Sequence, residues 1–157
     1  MKSKSGFTLI EVMMVVAIVS AVIISVPAFH EWFQRQGVSL AVDQLRADLQ
    51  LARIMAINQK QTCAIVFNSP GSNQYTNSLN QQTVDLAGYR GGVGFLPIGP
   101  AGGGAKSKIA FNRQGMSTSA AEVDVFVTDQ EKHAIYRLRV LGPGGISVAR
   151  WSGGRWY

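Results

Sequence analysis

The hydrophobic positions of the chain follow three different patterns, one after another. Residues 7–29 form a nearly continuous apolar run that contains a single charged residue, Glu11. A hydrocarbon core of roughly 30 Å is crossed by about 20 apolar residues in a helix, so this run is long enough to span a membrane. We predict a transmembrane helix over residues 7–29.

Glu11 sets this run apart from an ordinary membrane anchor. A lone charge inside an apolar span costs roughly 3 kcal/mol on membrane-insertion scales, so a carboxylate there is expected to have a partner and a function. A plain signal anchor provides neither. A cleaved secretory signal peptide is disfavoured as well, because residues 25–29 match the small-residue cleavage pattern poorly.

The second pattern covers residues 30–60, where apolar residues recur at spacings of three and four. They are Val38, Val42, Leu45, Leu49, Ala52 and Ala56. This spacing places one apolar stripe along a helix, which predicts an amphipathic helix with a buried stripe. A coiled-coil dimer would use the same stripe, but the pattern lasts for fewer than about three heptads, which is short for a coiled coil.

From residue 61 to residue 157 the period becomes two and turn residues separate short runs, which predicts a β-rich globular domain. The predicted strands are residues 62–67, 75–79, 83–86, 108–111, 122–128, 134–141 and 146–151. Two glycine-rich stretches, 91–94 and 99–104, are interpreted as flexible connections, because neither joins a strand to a helix as a phosphate-binding loop does. The fold class is therefore α+β, with a long N-terminal helix packed on a C-terminal antiparallel sheet.

One hairpin of this domain can be predicted in detail, with residues 129–132 as a four-residue loop. The residues on the core face of its first strand are Val123, Val125 and Val127. In this register Asp124 lies opposite Arg137, and Glu122 lies opposite Arg139. Both arginines are therefore expected to form cross-strand ion pairs.

Composition adds a basic balance and a single thiol. The chain has 15 Lys and Arg against 9 Asp and Glu, a net charge of +6. Lys2 and Lys4 precede the apolar run, on the side that the positive-inside rule places in the cytoplasm. Cys63 has no partner for an internal disulfide, and its apolar neighbours predict a buried strand residue.

The residues that would indicate an enzyme or a metal site do not form a recognisable pattern. His30 and His133 lie far apart, and motifs such as HExxH, CxxC and GxSxG are missing from the sequence. We therefore expect no catalytic activity, no metal and no cofactor.

Basic and aromatic residues alternate near the C-terminus, where Arg150 precedes Trp151 and Arg155 precedes Trp156. Such residues can hold single-stranded nucleic acid through phosphate contacts and base stacking. Tryptophans also anchor protein interfaces. Because two arginines attract a polyanion only weakly, contact with a partner subunit is favoured over contact with DNA or another anion.

Two stretches of the sequence resemble a known family. Residues 4–12, KSGFTLIEV, together with Pro27 further on, resemble the class III leader of type IV pilins and type II secretion pseudopilins. Residues 109–115, IAFNRQG, followed by a strand, a hairpin and a glycine-led last strand, are similar to the globular domain of the GspH/FimT branch. That branch often carries a glycine-arginine-apolar-arginine run in its last strand, and residues 145–148, GISV, lack both arginines.

The resemblance implies how the chain matures and what it contacts. It implies a prepilin leader at residues 1–6, cleavage by a prepilin peptidase between Gly6 and Phe7, and N-methylation of Phe7. Glu11 would then neutralise the terminal amine of a neighbouring subunit during assembly. The implied fold is pilin-like, in a single-pass protein of the bacterial inner membrane with its globular domain in the periplasm. The implied partners are other pseudopilins or minor pilins, the prepilin peptidase, the inner-membrane assembly platform and membrane lipid.

Two classes of function are compatible with this resemblance. The first is a minor pseudopilin of a type II protein secretion pseudopilus. The second is a FimT-like minor pilin of a type IV pilus, involved in pilus assembly or in DNA uptake. Both classes use the same N-terminal helix, so the helix cannot separate them, and the two arginines missing from residues 145–148 make DNA the less favoured partner.

Overall fold

A computed structural model describes residues 8–119 and 122–157. The predicted leader and its cleavage site between Gly6 and Phe7 lie outside the described residues. Two compact units are present, Met1–Phe33 and Gln34–Tyr157. Helix α1 (Leu9–Gln59) supplies the described part of the first unit and the first element of the second.

The start of α1 is fixed by its own sequence. The hydroxyl of Thr8 accepts a hydrogen bond from the backbone N–H of Glu11 at 3.4 Å. A threonine followed three residues later by glutamate is the capping-box pattern, which supplies acceptors to N–H groups at a helix start. Over the part of the chain that the structure describes, no helix combines the length and the apolar character needed to cross a membrane.

The helical part of the second unit buries the predicted apolar stripe. Its buried members include Val38, Val42, Leu45, Leu49, Ala52 and Ala56, none more than 2% exposed. The amphipathic pattern is thus confirmed. The helix approaches a loop closely at Gly37, where a Cβ atom would lie 2.0 Å from the carbonyl oxygen of Arg90, so this contact requires glycine.

The first sheet has four antiparallel strands in the order β3-β2-β1-β5. Its strands are β1 (Cys63–Phe67), β2 (Gln74–Asn77), β3 (Thr83–Asp85) and β5 (Lys108–Phe111). Cys63 is fully buried, as predicted, and burial raises the pKa of its thiol. The hydroxyl of Tyr75 donates a 2.5 Å hydrogen bond to Asp48 and so joins this sheet to the helix.

The second sheet has five antiparallel strands in the order β4-β6-β7-β8-β9. Its strands are β4 (Gly94–Leu96), β6 (Val123–Thr128), β7 (Ile135–Val140), β8 (Ile146–Ser152) and β9 (Arg155–Trp156). Strands β4 and β9 were not predicted. The helix and the inner faces of the two sheets enclose one hydrophobic core.

The glycine-rich stretches do more than connect strands. The interpretation of residues 91–94 as a flexible connection is wrong, because Val93 is fully buried and Gly94 pairs with Thr128. In the second stretch, 99–104, a Cβ atom on Gly99 would lie 2.5 Å from the ring of Phe126. Because Gly99 has no side chain, this loop can pack directly on the ring of Phe126.

The predicted hairpin register is wrong by two residues. Asp124 lies opposite Arg139, and Phe126 lies opposite Arg137, so the loop has six residues and not four. The longer loop is stabilised by Asp129, which is 2% exposed and whose carboxylate accepts a 3.0 Å hydrogen bond from the N–H of Ala134. A shift of two residues keeps every side chain on its face, so the core-facing valines were assigned correctly.

Candidate assembly helix and outer sheet face

Glu11 lies in the first turn of α1 and is exposed. A negative charge near a helix N-terminus is favoured by the helix dipole, and the Thr8 hydrogen bond holds this turn in shape. The carboxylate is therefore held at the beginning of the helix, where a positively charged group from outside the chain can approach it.

The apolar side chains on both sides of Glu11 are exposed as well. Leu9 is 80% exposed, Ile10 is 72% exposed, and Ile23, at the end of this described stretch, is 65% exposed. Soluble proteins rarely leave so much continuous apolar surface in water, and such a surface marks contact with lipid or with another protein. Around Glu11 the first unit thus combines a carboxylate with a large apolar surface.

The predicted C-terminal residues are divided between the two faces of the second sheet. Arg150 lies opposite Tyr136, on the face that carries the core, whereas Trp151 lies opposite Trp156 on the other face. Arg155 alternates with Trp156 and so shares the face of Arg150. The arginines and the tryptophans therefore do not form one continuous surface.

The outer sheet face, defined here by Phe126, Arg137, Trp151 and Trp156, has its own cluster. The indole rings of Trp151 and Trp156 meet edge to face with centroids 5.0 Å apart, and Phe126 stacks on Trp156 at 5.8 Å. The guanidinium carbon of Arg137 lies 4.5 Å from the centroid of the Trp156 ring, which is a cation–π contact.

Two of these residues were missed in the sequence. Phe126 and Arg137 lie opposite each other only in the register with a six-residue loop. Asp129 could have indicated the longer loop, since an aspartate that starts a loop often accepts hydrogen bonds from the loop's own backbone. A four-residue loop instead placed Arg137 opposite an acidic residue.

Arg139 takes the acidic partners that were predicted for both arginines. Its Nε and one Nη atom donate to the two carboxylate oxygens of Asp124 at 2.7 and 2.8 Å, and it also contacts Glu122. The hydrogen bond to Asp124 is the main cause that raises the pKa of Arg139. The charge of Arg139 is thus balanced within the sheet. The Nε atom of Arg137 is buried without a hydrogen-bond partner among the described residues.

Among the described residues, His133 is not part of a metal site. His133 is half exposed in the hairpin loop, where its Nδ1 lies 3.3 Å from Asp129 and 3.3 Å from Glu131. Among residues 8–119 and 122–157, no three His, Cys, Asp or Glu side chains come together to hold a metal ion. The side chain of His30 lies outside the described residues.

Comparison with known families decides what this combination of helix and sheets is. Residues 1–26 match the prokaryotic N-terminal methylation motif, and residues 41–144 match the type II transport protein GspH. The second match covers more than half of the chain. The chain belongs to the GspH family. Gly6, Phe7 and Glu11 all fall within the matched methylation motif.

A solved structure shares the fold of this GspH-family protein. The type IV minor pilin FimU of Pseudomonas aeruginosa (strain PAO1) is similar, with a TM-score of 0.59 and 15% sequence identity. The similarity covers 80% of this chain and 96% of the FimU chain. It confirms the predicted α+β pilin-like fold. A comparison with curated protein sequences finds no match.

The family matches confirm the predicted type of protein at a general level. This GspH-family chain is a type IV pilin-like protein of the minor pseudopilin type. Pilin-like families consist of structural subunits that assemble with other pilins or pseudopilins. They are anchored in a membrane and carry a periplasmic domain. The general fold and the general class of partner were therefore predicted correctly.

Proposed function

We propose that this protein is a minor pseudopilin of a type II secretion pseudopilus, inserted in the inner membrane and assembled through α1. The observation that carries the proposal is Glu11, a single carboxylate at the start of an exposed apolar helix inside the methylation motif. The GspH match over residues 41–144 supports the secretion class. No catalytic role is part of this proposal.

Maturation would create the charge that Glu11 needs. In the proposal, prepilin peptidase cleaves between Gly6 and Phe7, and the new amine of Phe7 is methylated while it keeps its positive charge. The carboxylate of Glu11 then pairs with the amine of a neighbouring subunit on the assembly platform. Two opposite charges about 4 Å apart attract by about 4 kcal/mol at an effective dielectric constant of 20, enough to offset the burial of Glu11 in the membrane.

The apolar segment around Glu11 would contact two different environments, one before assembly and one after it. Before assembly its exposed side chains, such as Ile10 and Ile23, would contact membrane lipid. In the pseudopilus they would contact the corresponding helices of other subunits. Because both environments are apolar, the ion pair, and not the hydrophobic effect, would decide when the subunit leaves the lipid.

The alternative is a FimT-like minor pilin that takes part in type IV pilus assembly or DNA uptake. The contact of Arg137 with Trp156 favours it, since a cation beside half-buried indoles can hold a nucleotide. The positions of Arg150 and Arg155 count against it. They lie on the opposite face of the sheet from Trp151 and Trp156, so few cations could contact a nucleic acid that stacks on the indoles. If two phosphates were neutralised, the salt slope of DNA binding would be only about −1.8.

Deletion of the gene tests the proposal against the alternative. We expect the deletion strain to lose secretion of proteins across the outer membrane while pili and DNA uptake remain, and the intact gene to restore secretion. Loss of surface pili or of transformation, with secretion intact, would instead favour the type IV pilus class. A titration of the periplasmic domain with DNA at 150 mM salt adds to this test. Submicromolar binding that is lost in the Arg150→Ala, Arg155→Ala double variant would indicate DNA uptake.

A further inference from the structure

The edge of β8 that faces away from β7 carries backbone groups that form no backbone hydrogen bond with any described residue. On one side β8 pairs with β7 along residues 146–150. On the other side β9 pairs only with Trp151 and Ser152. The last bonds on that side join Arg150 to Tyr157, whose backbone N–H groups donate to each other's carbonyls at 2.8 and 2.9 Å.

Alternation identifies which groups are open. In an antiparallel ladder each residue directs its N–H and C=O to one neighbouring strand, and the next residue directs them to the other. Because Arg150 bonds to Tyr157, the backbones of Val148 and Ile146 point to the same side as that of Arg150. No described residue forms a backbone hydrogen bond with Val148 or Ile146 on this side.

This edge also lacks the features that usually protect a free strand. Native edge strands carry charges, proline or a bulge that discourage pairing with another chain. Residues 146–149 are Ile-Ser-Val-Ala, without charge or proline, and the side chains of Ile146, Val148 and Ala149 are half-buried. The segment is therefore an uncharged strand edge suited to pairing.

We propose that the edge of β8 at Val148 and Ile146 accepts an extended segment of another pilin-like subunit. The segment adds as a strand antiparallel to β8 and in line with β9. This proposal rests on the proposed function, since it names a contact by which the subunit joins its neighbours. Backbone hydrogen bonds hold an added strand, and the alternate side chains on the receiving edge select its sequence.

The geometry favours a different subunit over a second copy of this chain. If two β8 edges paired through both open residues, Val148 would lie opposite Ile146 of the second copy. In that register Gly144 of the second copy would lie opposite Arg150, at the position that Tyr157 already occupies. The expected occupant is an uncharged segment without proline at its bonding positions, since its nearest neighbours on the edge are Ile146 and Val148.

A proline at position 148 tests the proposal in the full chain. Val148→Pro removes the N–H at the open edge but no hydrogen bond to β7, because residue 148 directs its backbone away from β7. Proline is tolerated at such edge positions for this reason. Val148→Ala is the matched control, since it shortens the side chain and keeps the N–H.

Tagged variants are purified from membranes that also contain the other pilin-like subunits, and co-purified chains with a prepilin-type N-terminus are quantified by mass spectrometry. We expect recovery to fall about tenfold for Val148→Pro and less than about twofold for Val148→Ala. In the complex formed by the unmodified protein, hydrogen exchange at the amides of Val148 and Ile146 should be slower than in the isolated protein by about tenfold or more.

Equal recovery with the two variants would overturn the proposal. Hydrogen exchange at Val148 that is the same in the complex of the unmodified protein as in the isolated protein would also overturn it. This measurement tests the proposal even if Val148→Pro fails to fold. A disulfide-linked homodimer formed through Ser147→Cys would also overturn it, because the edge would then receive a second copy. If the unmodified protein recovers no pilin-like subunit, the proposed function itself fails, whereas recovery that is insensitive to Val148→Pro contradicts the edge contact alone.

Discussion

Arg137 lies against Trp156, with its guanidinium carbon 4.5 Å from the centroid of the indole ring. It would lie opposite Asp124 if the hairpin loop had four residues. The buried carboxylate of Asp129 stabilises a six-residue loop and so places Arg137 opposite Phe126 instead of Asp124. One buried aspartate thus determines whether this arginine forms an ion pair or a cation–π contact.

Trp156→Ala should lower the free energy of unfolding by about 2 kcal/mol, because Phe126 loses its stacked ring and Arg137 loses its cation–π partner. Urea unfolding of the periplasmic domain measures the change. Tyr157→Ala is the control: its side chain is 75% exposed, so a change below about 0.5 kcal/mol is expected. Equal effects of the two substitutions would show that the cluster contributes nothing.

Local patterns predicted most strands, because a period of two directly reflects which face is buried. The predicted strand 108–111, for example, coincides with β5. Strand β4 was missed because its three residues lie next to glycines and are ordered by distant contacts, such as the 3.1 Å hydrogen bond from Phe95 to the Asn73 side chain. The local hydrophobic pattern does not predict contacts between residues that lie far apart in the sequence.

The candidate site was predictable to a similar extent. Glu11 stands out in the sequence because a charge in an apolar run is costly, and Trp151 and Trp156 stand out by composition. The burial of Phe126 gave no such signal, because alternation places this residue on the face opposite the core-facing valines. Its ring is nevertheless buried, because Gly99 lets a distant loop cover it, and this contact depends on tertiary structure.

The protein should lose stability in alkali because of two buried groups. Burial raises the pKa of Cys63 and of Tyr75 above their ordinary values of 9.0 and 10.0, and the hydrogen bond to Asp48 raises that of Tyr75 further. Above those ordinary values the unfolded chain releases protons that the folded chain keeps. These groups therefore leave stability unchanged below about pH 9 and lower it as pH rises, by up to about 1.4 kcal/mol per pH unit each.

Urea unfolding between pH 7 and pH 11 measures this loss. Tyr75→Phe keeps the ring and removes the ionisable hydroxyl, so its stability should fall less steeply than that of the unmodified domain above about pH 10. Parallel curves for the two proteins would contradict the assignment to Tyr75.

Gly37→Ala should destabilise the periplasmic domain, although alanine is normally the better helix former by about 1 kcal/mol. A Cβ atom there would lie 2.0 Å from the carbonyl oxygen of Arg90, so the helix or the loop must move. We expect a loss of about 2 kcal/mol or more in urea unfolding, typical of a forced backbone shift. Gly88→Ala is the control, because nothing lies within 4 Å of its added Cβ. A gain of stability at Gly37 would show that this contact is not close.

Gly6→Val should leave uncut precursor in the inner membrane, because the peptidase is expected to require a small residue before the cleaved bond. Intact mass of the protein from native membranes measures this directly. The unmodified chain should begin at methylated Phe7, and Ser5→Ala, which keeps a small residue beside the site, should be processed normally. A retained leader in the unmodified protein, or a new terminus near Ala28, would contradict the proposed maturation.

Glu11→Val should separate membrane insertion from assembly. Removal of the carboxylate makes insertion more favourable, by about 3 kcal/mol on insertion scales, so the variant should reach the inner membrane at least as well as the unmodified chain. It should nevertheless fail to crosslink to other pilin-like subunits, because the amine of the neighbour would enter an apolar environment without a partner charge. Glu11→Asp is the matched control, since it keeps the charge on a shorter side chain and should retain part of the crosslinking. Carbonate extraction measures insertion, and crosslinking in native membranes measures assembly. Normal crosslinking of Glu11→Val would show that α1 assembles by apolar packing alone and that the carboxylate has another role.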